Sequence, residues 1–264
     1  MSGKAPTATY MSLFNFLLLG YGLKMEEESM INETYMTKYE IDLRVRIATG
    51  EEIDWIKISN SRNFKKLSEA FIDAYADKLY WDQISLHQKL SKSFFKKYAD
   101  KLDWDNISVR QKLSEAFIEK HADKVNWYFI SYSQKLSEAF IEKYVDKVNW
   151  EWISWYQVLS EPFIEKHADK VDWIRISRHQ TLSEAFIEKY ADKLDWEMIS
   201  RFQTLSEPFI EKFAARVDWG YISESQELSE AFIEKFADEV DWYWISKKQT
   251  LSEPFIEKFA DRLK

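Results

Sequence analysis

The sequence predicts a mostly α-helical protein: an α-solenoid of about nine two-helix repeats of 23 residues, with a small N-terminal cap that is α/β or contains a β-strand. The main observation is a series of tryptophans that keeps a 23-residue spacing after one gap of 26 residues. A period in this range is typical of stacked repeat arrays. Only five Gly and four Pro occur in 264 residues, which leaves little room for sheets with tight turns. The series comprises Trp55, Trp81, Trp104, Trp127, Trp150, Trp173, Trp196, Trp219 and Trp242.

Residues 1–50 precede this array and differ from it. Apolar and charged side chains alternate from Tyr39 to Ile47, and Gly50 follows. This period of two is typical of a half-buried strand. Residues 8–19 are compatible with either a second strand or a buried helix. We therefore expect residues 1–50 to be a capping segment with at least one β-strand, and residues 51–264 to be the helical array.

The first helix of a copy can be predicted from residues 172–194, DWIRISRHQTLSEAFIEKYADKL. Asp or Asn precedes the repeated Trp in eight of nine copies, and both accept N–H bonds at a helix start. We therefore expect this helix to begin at Asp172. Trp173, Ile176 and Gln180 then share one face at helical spacing.

The second helix is predicted to begin at Ser183, because Ser occupies this place in all nine copies and is a preferred N-cap. Three copies carry Pro at the second helical position, where proline is tolerated: Pro162, Pro208 and Pro254. The apolar spacing then runs to Leu194. We expect one helix of about 8 residues and one of about 11 in each copy, both too short to be stable without stacking.

The repeated unit resembles a known family of tandem repeats of the form LSEAFIEK(Y/H)ADKVDWxxIS. Such arrays occur in proteins of large DNA viruses and phages and in some bacterial proteins, mostly without an assigned biochemical role. The resemblance covers residues 51–264. It implies a helical repeat and a viral or phage origin, and it implies no catalytic residues.

Composition and charge limit the classes of function. The net charge of −8 argues against general binding to DNA or to a membrane surface. The apolar stretch 10–23 is too short to span a bilayer, and Lys4 alone makes a poor start for a secretory signal. The absence of Cys excludes disulfides and thiol chemistry. We therefore expect no membrane association and an intracellular, cytoplasmic location, in an infected host cell if the chain is viral.

The sequence offers no arrangement of residues that is typical of catalysis. His121 and His167 occupy a place where other copies carry Tyr or Phe, so they are interpreted as packing residues. No HExxH pair, Gly-rich phosphate loop or GxSxG elbow occurs. We expect no metal site, no cofactor and no catalytic residue, and hence a protein that is not an enzyme.

Two polar patterns recur with the repeat. Glu115, Glu119 and Asp123 follow one helix edge with Lys120 and Lys124 beside them, and most copies repeat this arrangement. The alternatives are an acidic stripe that mimics nucleic acid or weak ion pairs between copies, and the repetition favours ion pairs. A Gln lies seven residues after Trp in eight copies. It is interpreted as a side chain that satisfies loop backbone groups of an adjoining copy, rather than as a ladder for substrate.

The positions one, two, five and six residues after each Trp vary while the rest of the unit repeats. They lie on one face of the first helix, and in the middle of the array they are rich in residue types that favour interfaces. Two interpretations remain open: a partner-binding surface, which we favour, and lateral packing between copies. The predicted partner-binding residues are Tyr128, Phe129, Tyr132, Trp152, Trp155, Tyr156, Arg175, Arg178, Met198, Arg201 and Phe202.

These observations favour a non-catalytic binding scaffold that holds a protein partner on this face. If the chain is viral, as the resemblance implies, the partner is a host or viral protein. The alternative is a nucleic-acid-binding repeat in which Arg178, Arg201, Tyr156 and Phe202 stack on bases. A homodimer through the apolar residues of the last copy is a further expectation for the partner.

Overall fold

The computed structural model describes residues 38–60 and 67–263. In this part of the chain every regular element is a helix, and the pattern of helices repeats from copy to copy. The prediction of a mostly helical tandem repeat of the α-solenoid type is therefore confirmed. The chain divides into two compact units, an N-terminal unit that ends at Asn126 and a C-terminal unit that begins at Trp127.

The helices of the N-terminal unit are α1 (Lys38–Ala48), α2 (Trp55–Ser59), α3 (Glu69–Ala74), α4 (Trp81–His87), α5 (Lys92–Tyr98), α6 (Trp104–Arg110) and α7 (Glu115–Lys120). Those of the C-terminal unit are α8 (Trp127–Ser133), α9 (Glu138–Lys143), α10 (Trp150–Tyr156), α11 (Glu161–Lys166), α12 (Trp173–His179), α13 (Glu184–Lys189), α14 (Trp196–Phe202), α15 (Glu207–Lys212), α16 (Trp219–Ser225), α17 (Glu230–Lys235), α18 (Trp242–Lys248) and α19 (Glu253–Lys258). From α2 onward, even numbers are first helices of a copy and odd numbers are second helices. None of the described helices combines the length and apolar character that crossing a bilayer requires.

The prediction of a β-strand over residues 39–47, and with it a β-containing cap, is wrong for the described residues. This segment is the helix α1. Tyr39, Leu43 and Ile47 are spaced four apart, so the residues that alternate with charges also form a helical stripe. Leu43 is 1 % exposed and belongs to the core that includes Ile58 and Phe71. The predicted element at residues 8–19 lies outside the described residues.

Helix α1 occupies the place that a second helix has in the later copies. The buried carboxylate of Glu40 accepts a hydrogen bond from the backbone N–H of Ser68. Glu69 in α3 accepts the corresponding bond from Ser91 N–H. The first copy therefore meets the same kind of contact at its N-terminal side that several later copies receive from their predecessors, as at Ser160 and Ser183.

The predicted helix starts are confirmed. The Oδ1 atom of Asp172 accepts a hydrogen bond from Arg175 N–H at 3.1 Å, and the hydroxyl of Ser183 accepts one from Phe186 N–H at 3.2 Å. These bonds satisfy N–H groups that have no partner inside the helix. Pro162, Pro208 and Pro254 lie in the first turn of their helices.

The second helices are shorter than the 11 residues predicted. Helix α13 has six residues, and its C-cap Tyr190 has left the helical region at φ −110° and ψ 23°. The carbonyl of Tyr190 then accepts bonds from Lys193 N–H at 2.9 Å and Leu194 N–H at 3.2 Å. This separate turn keeps the apolar spacing, so Leu194 is buried although the helix has ended.

The interior of each unit contains a polar seam between copies, formed by the Ser four residues after each Trp and, in every copy but the first, by the Gln seven residues after it. Ser154 donates to its own helix at Trp150 O (2.7 Å) and accepts from Asp172 N–H of the next copy (3.0 Å). The N-cap residue of each following copy is bound in the same way by Ser59, Ser85, Ser108, Ser131, Ser154, Ser177, Ser200 and Ser223, all fully buried.

The Gln of the seam confirms the interpretation that it satisfies backbone groups of an adjoining copy. The side-chain N–H groups of Gln157 donate to Ser131 O at 2.9 Å and Gln134 O at 2.8 Å. Its Oε1 accepts from Leu136 N–H at 2.9 Å. Gln180, Gln203 and Gln226 form the same three contacts one, two and three copies later.

Trp173 illustrates the contacts of the repeated Trp, which packs on the second helix of its own copy and bonds to the turn of the preceding copy. The Trp173 ring is half-buried, lies 5.0 Å from the Tyr190 ring between centroids, and donates its Nε1–H to Ala168 O at 3.1 Å.

In the last copy Phe255 is buried, Phe259 is half-buried and Ile256 is exposed.

Ion pairs connect the second helices and turns of successive copies, as predicted. Lys189 pairs with Glu165, and Arg216 Nη1 lies 2.8 Å from Asp192 Oδ1. These groups are exposed, and surface pairs of this kind contribute under about 1 kcal/mol each. In the part of the chain that the structure describes, acidic residues of these helices and turns therefore lie beside Lys or Arg of the adjoining copy, which argues against a continuous acidic stripe.

Candidate functional site

The varying positions form one surface of the C-terminal unit, which we call the variable face: the residues one, two, five and six places after the Trp in α8, α10, α12, α14, α16 and α18. The constant Ile and Ser between them, such as Ile153 and Ser154, are fully buried in α8 to α16, and in α18 Ile245 is buried while Ser246 is exposed. None of the eleven predicted partner-binding residues is buried. Tyr128, Tyr156 and Phe202 are 47 %, 49 % and 42 % exposed.

An aromatic cluster occupies the first half of the variable face and links three first helices. The Tyr132 and Trp152 centroids lie 5.7 Å apart, and Trp152 is 5.7 Å from Trp155. The Trp155 ring stacks on Tyr156 at 5.3 Å and on His179 of α12 at 4.9 Å. Tyr128 and Phe129 complete the cluster, with rings 5.6 Å apart.

Arg175 is held against this cluster. Its guanidinium carbon lies 4.2 Å from the Trp155 centroid and 5.6 Å from that of Trp152. The guanidinium pairs with Glu151 of the preceding copy, and Nε lies 3.3 Å from Asp172 Oδ2. Two rings and two carboxylates therefore already surround this cation, which lowers its availability to an external anion.

The second half of the variable face continues with arginines over aromatic rings. Arg178 lies 5.1 Å from the Phe202 centroid, and Arg201 lies 5.2 Å from Phe202 and 4.9 Å from Tyr221. Met198 is half-buried. The two interpretations of the variable positions are thus compatible: the side chains pack on neighbouring copies, and they also remain accessible.

Two exposed apolar residues in the same part of the chain as this cluster were not among the predicted partner-binding residues. Val158 is 89 % exposed, at a loop position where the other regular copies carry Lys, Thr or Glu. Ile174 is 59 % exposed, where the copies on either side carry Glu151 and Glu197. The signal in the sequence was the replacement of a polar residue by an apolar one at a surface position. Both lie in the part of the chain that also contributes Trp155 and Tyr156.

His121 and His167 occupy the aromatic packing position of their copies, whereas His179 is exposed on the variable face. His121 stacks against Trp104 at 5.0 Å, and burial followed by the charge of Lys120 lowers the pKa of its imidazole. Burial lowers the pKa of His179 as well, with Arg178 and Arg175 as further causes. No group of three or more His, Cys, Asp or Glu residues that could hold a metal ion occurs among the described residues.

Glu142 is the one carboxylate that a histidine contacts among the described ion pairs. His167 Nε2 lies 2.7 Å from Glu142 Oε2, and Lys166 pairs with the other oxygen at 2.8 Å. Lys166 first, and His167 second, lower the pKa of this carboxyl group. His167 is buried beside Trp150 and Phe163, so this arrangement ties one copy to the previous one.

Comparisons with known proteins assign no role to these residues. No family model matches the chain, and no curated protein or solved structure is detectably similar to it.

Proposed function

We propose that the chain is a non-catalytic helical-repeat scaffold that binds a protein partner through the variable face. The observation that carries this proposal is the exposure of apolar side chains on this face and in the loop that follows α10, at places where the neighbouring copies carry polar residues. Val158 and Ile174 are the clearest examples, and Tyr128 and Tyr156 add exposed rings nearby in the chain. Exposed apolar and aromatic clusters of this kind mark interaction surfaces, because water contact with them is unfavourable.

The charge distribution supports a protein partner over a nucleic acid. Arg175 is engaged by Glu151 and Asp172, so it is not free to neutralise a phosphate. Arg178 and Arg201 lie over aromatic rings, and Glu197 and Glu224 lie on the same face. Nucleic-acid binding depends on a series of cations that release counterions, and this surface has few.

The experiment replaces exposed residues by those that other copies carry at the same positions. The test variant combines Tyr156→Ser, Val158→Lys and Ile174→Glu, which copy Ser133, Lys135 and Glu197. Because each new residue already exists in a regular copy, we expect the helical content to remain unchanged. Circular dichroism checks this point.

A matched control carries changes at the same three positions in another copy: Asp82→Glu, His87→Ser and Lys89→Thr. Wild type, test variant and control are each used to capture proteins from a lysate of the native host cell, at low and at high salt. We expect one protein to be retained by wild type and control at both salt concentrations and lost from the test variant. Equal retention by all three chains would show that the partner does not bind at the aromatic cluster and the exposed apolar residues Val158 and Ile174.

The nucleic-acid alternative is tested with the same three chains. Fluorescence anisotropy with labelled single-stranded RNA and duplex DNA measures binding over a range of salt concentrations. An affinity that falls steeply with salt, and is absent from the test variant, would replace the protein partner by a nucleic acid.

A further inference from the structure

A cavity of about 520 Å³ opens on the variable face in the last three copies, and among its lining residues only Arg201 is one of the eleven predicted partner-binding residues. Its walls come from α14, α16 and α18, and from the cap of α16. The lining residues are Arg201, Asp218, Gly220, Tyr221, Glu224 and Trp244. We call this cavity the carboxylate–aromatic pocket.

The pocket exists partly because Gly220 has no side chain. The corresponding residue is Glu197 in the preceding copy and Tyr243 in the following one. A Cβ atom on Gly220 would lie 3.1 Å from Asp218 Oδ1, closer than an ordinary van der Waals contact. Gly220 therefore keeps open the space next to the Asp218 carboxylate.

The polar lining of the pocket is net negative. Asp218 Oδ1 accepts the capping bond from Tyr221 N–H at 3.0 Å. Within the described residues neither Asp218 nor Glu224 has an ion-pair partner, whereas several acidic residues of the second helices and turns in this unit, such as Glu165, Glu188 and Asp192, are paired. Two carboxylates and one guanidinium, that of Arg201, give the lining a charge of about −1 at neutral pH.

The aromatic walls already attract cations of this chain. Arg201 lies 4.9 Å from the Tyr221 centroid, and Lys248 Nζ lies 5.8 Å from the Trp244 centroid. Such distances allow the attraction between a cation and the ring quadrupole. Tyr221 and Trp244 thus suit a further cation placed between the two copies.

Arg175 shows how a guanidinium is accommodated between two successive first helices. It lies between α10 and α12, which correspond to α16 and α18 at the pocket. Two rings and two carboxylates surround it, namely Trp152, Trp155, Glu151 and Asp172. The residue at the place of Arg175 in α18 is Trp244, and the residue at the place of Glu151 in α16 is Gly220. The pocket still offers two rings and two carboxylates, Tyr221, Trp244, Asp218 and Glu224, although its carboxylates come from other repeat positions than those around Arg175. Helix α18 supplies no arginine at this place.

We propose that the carboxylate–aromatic pocket binds the guanidinium of an arginine that the protein partner presents. This inference rests on the proposed function and adds the chemistry of one contact. A guanidinium fits because it can stack on Tyr221 and Trp244 and donate two parallel hydrogen bonds to a carboxylate such as Glu224. An ammonium group can do only part of this, and the negative lining repels phosphate.

The test uses three blocked tripeptides with a central arginine, lysine or citrulline, titrated into the full chain. The reporter is the backbone amide of Gly220 in a proton–nitrogen NMR spectrum, which has few glycine signals because the chain has only five Gly. We expect a saturable shift with arginine, weaker binding of lysine, and none with citrulline, which keeps the shape and lacks the charge. No saturable shift with arginine, or an equal shift with citrulline, would overturn the proposal.

Two variants probe the pocket itself, and both retain the Gly220 reporter. Glu224→Gln removes one carboxylate and should weaken arginine binding by roughly tenfold. Trp244→Arg places a guanidinium from α18 where Arg175 lies in α12, and it should abolish binding while leaving the helical content unchanged. Glu197→Gln is the matched control, because this exposed carboxylate of α14 does not line the pocket. Binding that is equal in all four chains would contradict the assignment to this pocket.

Failure of this inference can be distinguished from failure of the proposed function. If arginine does not bind but the Tyr156, Val158 and Ile174 variant still loses its partner, the variable face stands and the arginine contact is wrong. If arginine binds in the pocket but that variant retains its partner, the scaffold assignment to the aromatic cluster is wrong.

Discussion

The polar seam and the variable face occupy neighbouring positions in the same copies, but their side chains have different partners. The seam contacts backbone atoms, and the variable face contacts other side chains. Ser154 and Gln157 of the seam are bonded to backbone atoms of adjacent copies. Trp155 and Arg175 of the variable face contact other side chains. Backbone groups recur at the same place in every copy, so a residue that binds them has no freedom to change. A residue that contacts a side chain can change when its neighbour does.

The comparison also explains why the constant positions are so uniform in polarity. A buried N–H or C=O group that loses its partner costs about 1–3 kcal/mol, whereas an exposed side-chain pair contributes less than about 1 kcal/mol. Substitutions in the seam should therefore have larger effects on stability than substitutions on the variable face. The following predictions test that order.

The largest effect is expected for Gln157→Met. Methionine has nearly the same side-chain volume as glutamine, so no large cavity forms. The change removes three hydrogen bonds, and Leu136 N–H, Ser131 O and Gln134 O lose their side-chain partner. We expect the free energy of unfolding to fall by roughly 3 kcal/mol or more. Urea denaturation followed by circular dichroism measures this loss.

Gln249→Met is the matched control for that prediction. Gln249 is only half-buried and forms two of the bonds, to Leu228 N–H at 3.1 Å and Gln226 O at 2.7 Å. Its replacement should cost clearly less than that of Gln157. Equal losses for the two variants would mean that burial of the seam does not determine its contribution.

A smaller effect is expected for Ser154→Ala. The hydroxyl is fully buried, and its loss leaves the N–H of Asp172 unsatisfied at a helix start. We expect a loss of about 1–2 kcal/mol. Ser246 has the same place in the last copy but is exposed and bonds only to Tyr243 O, so Ser246→Ala should change stability by less than about 0.5 kcal/mol. Similar losses at both serines would contradict the role given to the bond between copies.

The part of the fold that sequence predicted best is the part that backbone chemistry dictates. Ser183 and Asp172 are residue types that cap helices, and Pro208 is tolerated only in a first turn, so the helix starts could be placed. The period of Gln157 indicated a partner in an adjoining copy, which the structure shows. The equally constant Ser of the seam, such as Ser154, was overlooked, although its presence in all nine copies was visible.

Prediction from the sequence was wrong where one segment fits two periodic patterns, and where no residue type marks the end of a helix. The apolar residues from Tyr39 to Ile47 fit both the period of two of a strand and the four-residue spacing of a helix. The segment is a helix, and Leu43 packs in the core of the first copy. No Gly or Pro marks the end of α13, since the separate turn after Tyr190 preserves the apolar spacing. Local periodicity alone could not settle either case.

The candidate site could be located but not resolved from sequence. Variation at fixed positions identified the face on which Trp155 and Arg201 lie. The contact of Arg175 with Trp155 depends on how two first helices align across copies, which the spacing of residues does not specify. The carboxylate–aromatic pocket likewise needs Gly220 and Trp244 to face each other from different copies.

On the variable face, Arg175→Met should have a modest effect. The change removes the pairs with Glu151 and Asp172 and the contact with Trp155, and it keeps an apolar chain against the rings. We expect a loss of about 1 kcal/mol in the free energy of unfolding, measured by urea denaturation. Glu151→Gln should cost less, and the double variant should cost less than the sum of the two. A loss as large as that of Gln157→Met would show that contacts of the variable face stabilise the fold as strongly as the hydrogen bonds of the polar seam.

The smallest effect concerns pH and the imidazole of His179, which stacks on Trp155 at 4.9 Å. Burial, with Arg178 and Arg175 nearby, lowers the pKa of this group in the folded chain, so the unfolded chain takes up its proton first as pH falls. Stability from this ring is therefore present above the unfolded pKa near 6.5 and decreases as pH falls below it. His179→Phe, which copies Phe202, should reduce the drop in melting temperature between neutral and mildly acidic solution.

The titration of His121 and Glu142 provides a comparison that distinguishes the effect of His179 from a general loss of stability in acid. The pKa of His121 is also lowered, mainly by burial, so His121→Tyr should reduce the drop in the same direction, although this ring lies in the constant aromatic position beside Trp104. Glu142, whose pKa is lowered by Lys166 and His167, loses its contribution only as pH falls below the unfolded carboxyl value of 4.5. An unchanged pH profile in His179→Phe would mean that the ring is as accessible to protons in the folded chain as in the unfolded one. The variable face would then be more open at Trp155 than its stacking on His179 indicates, which favours a larger area for a partner there.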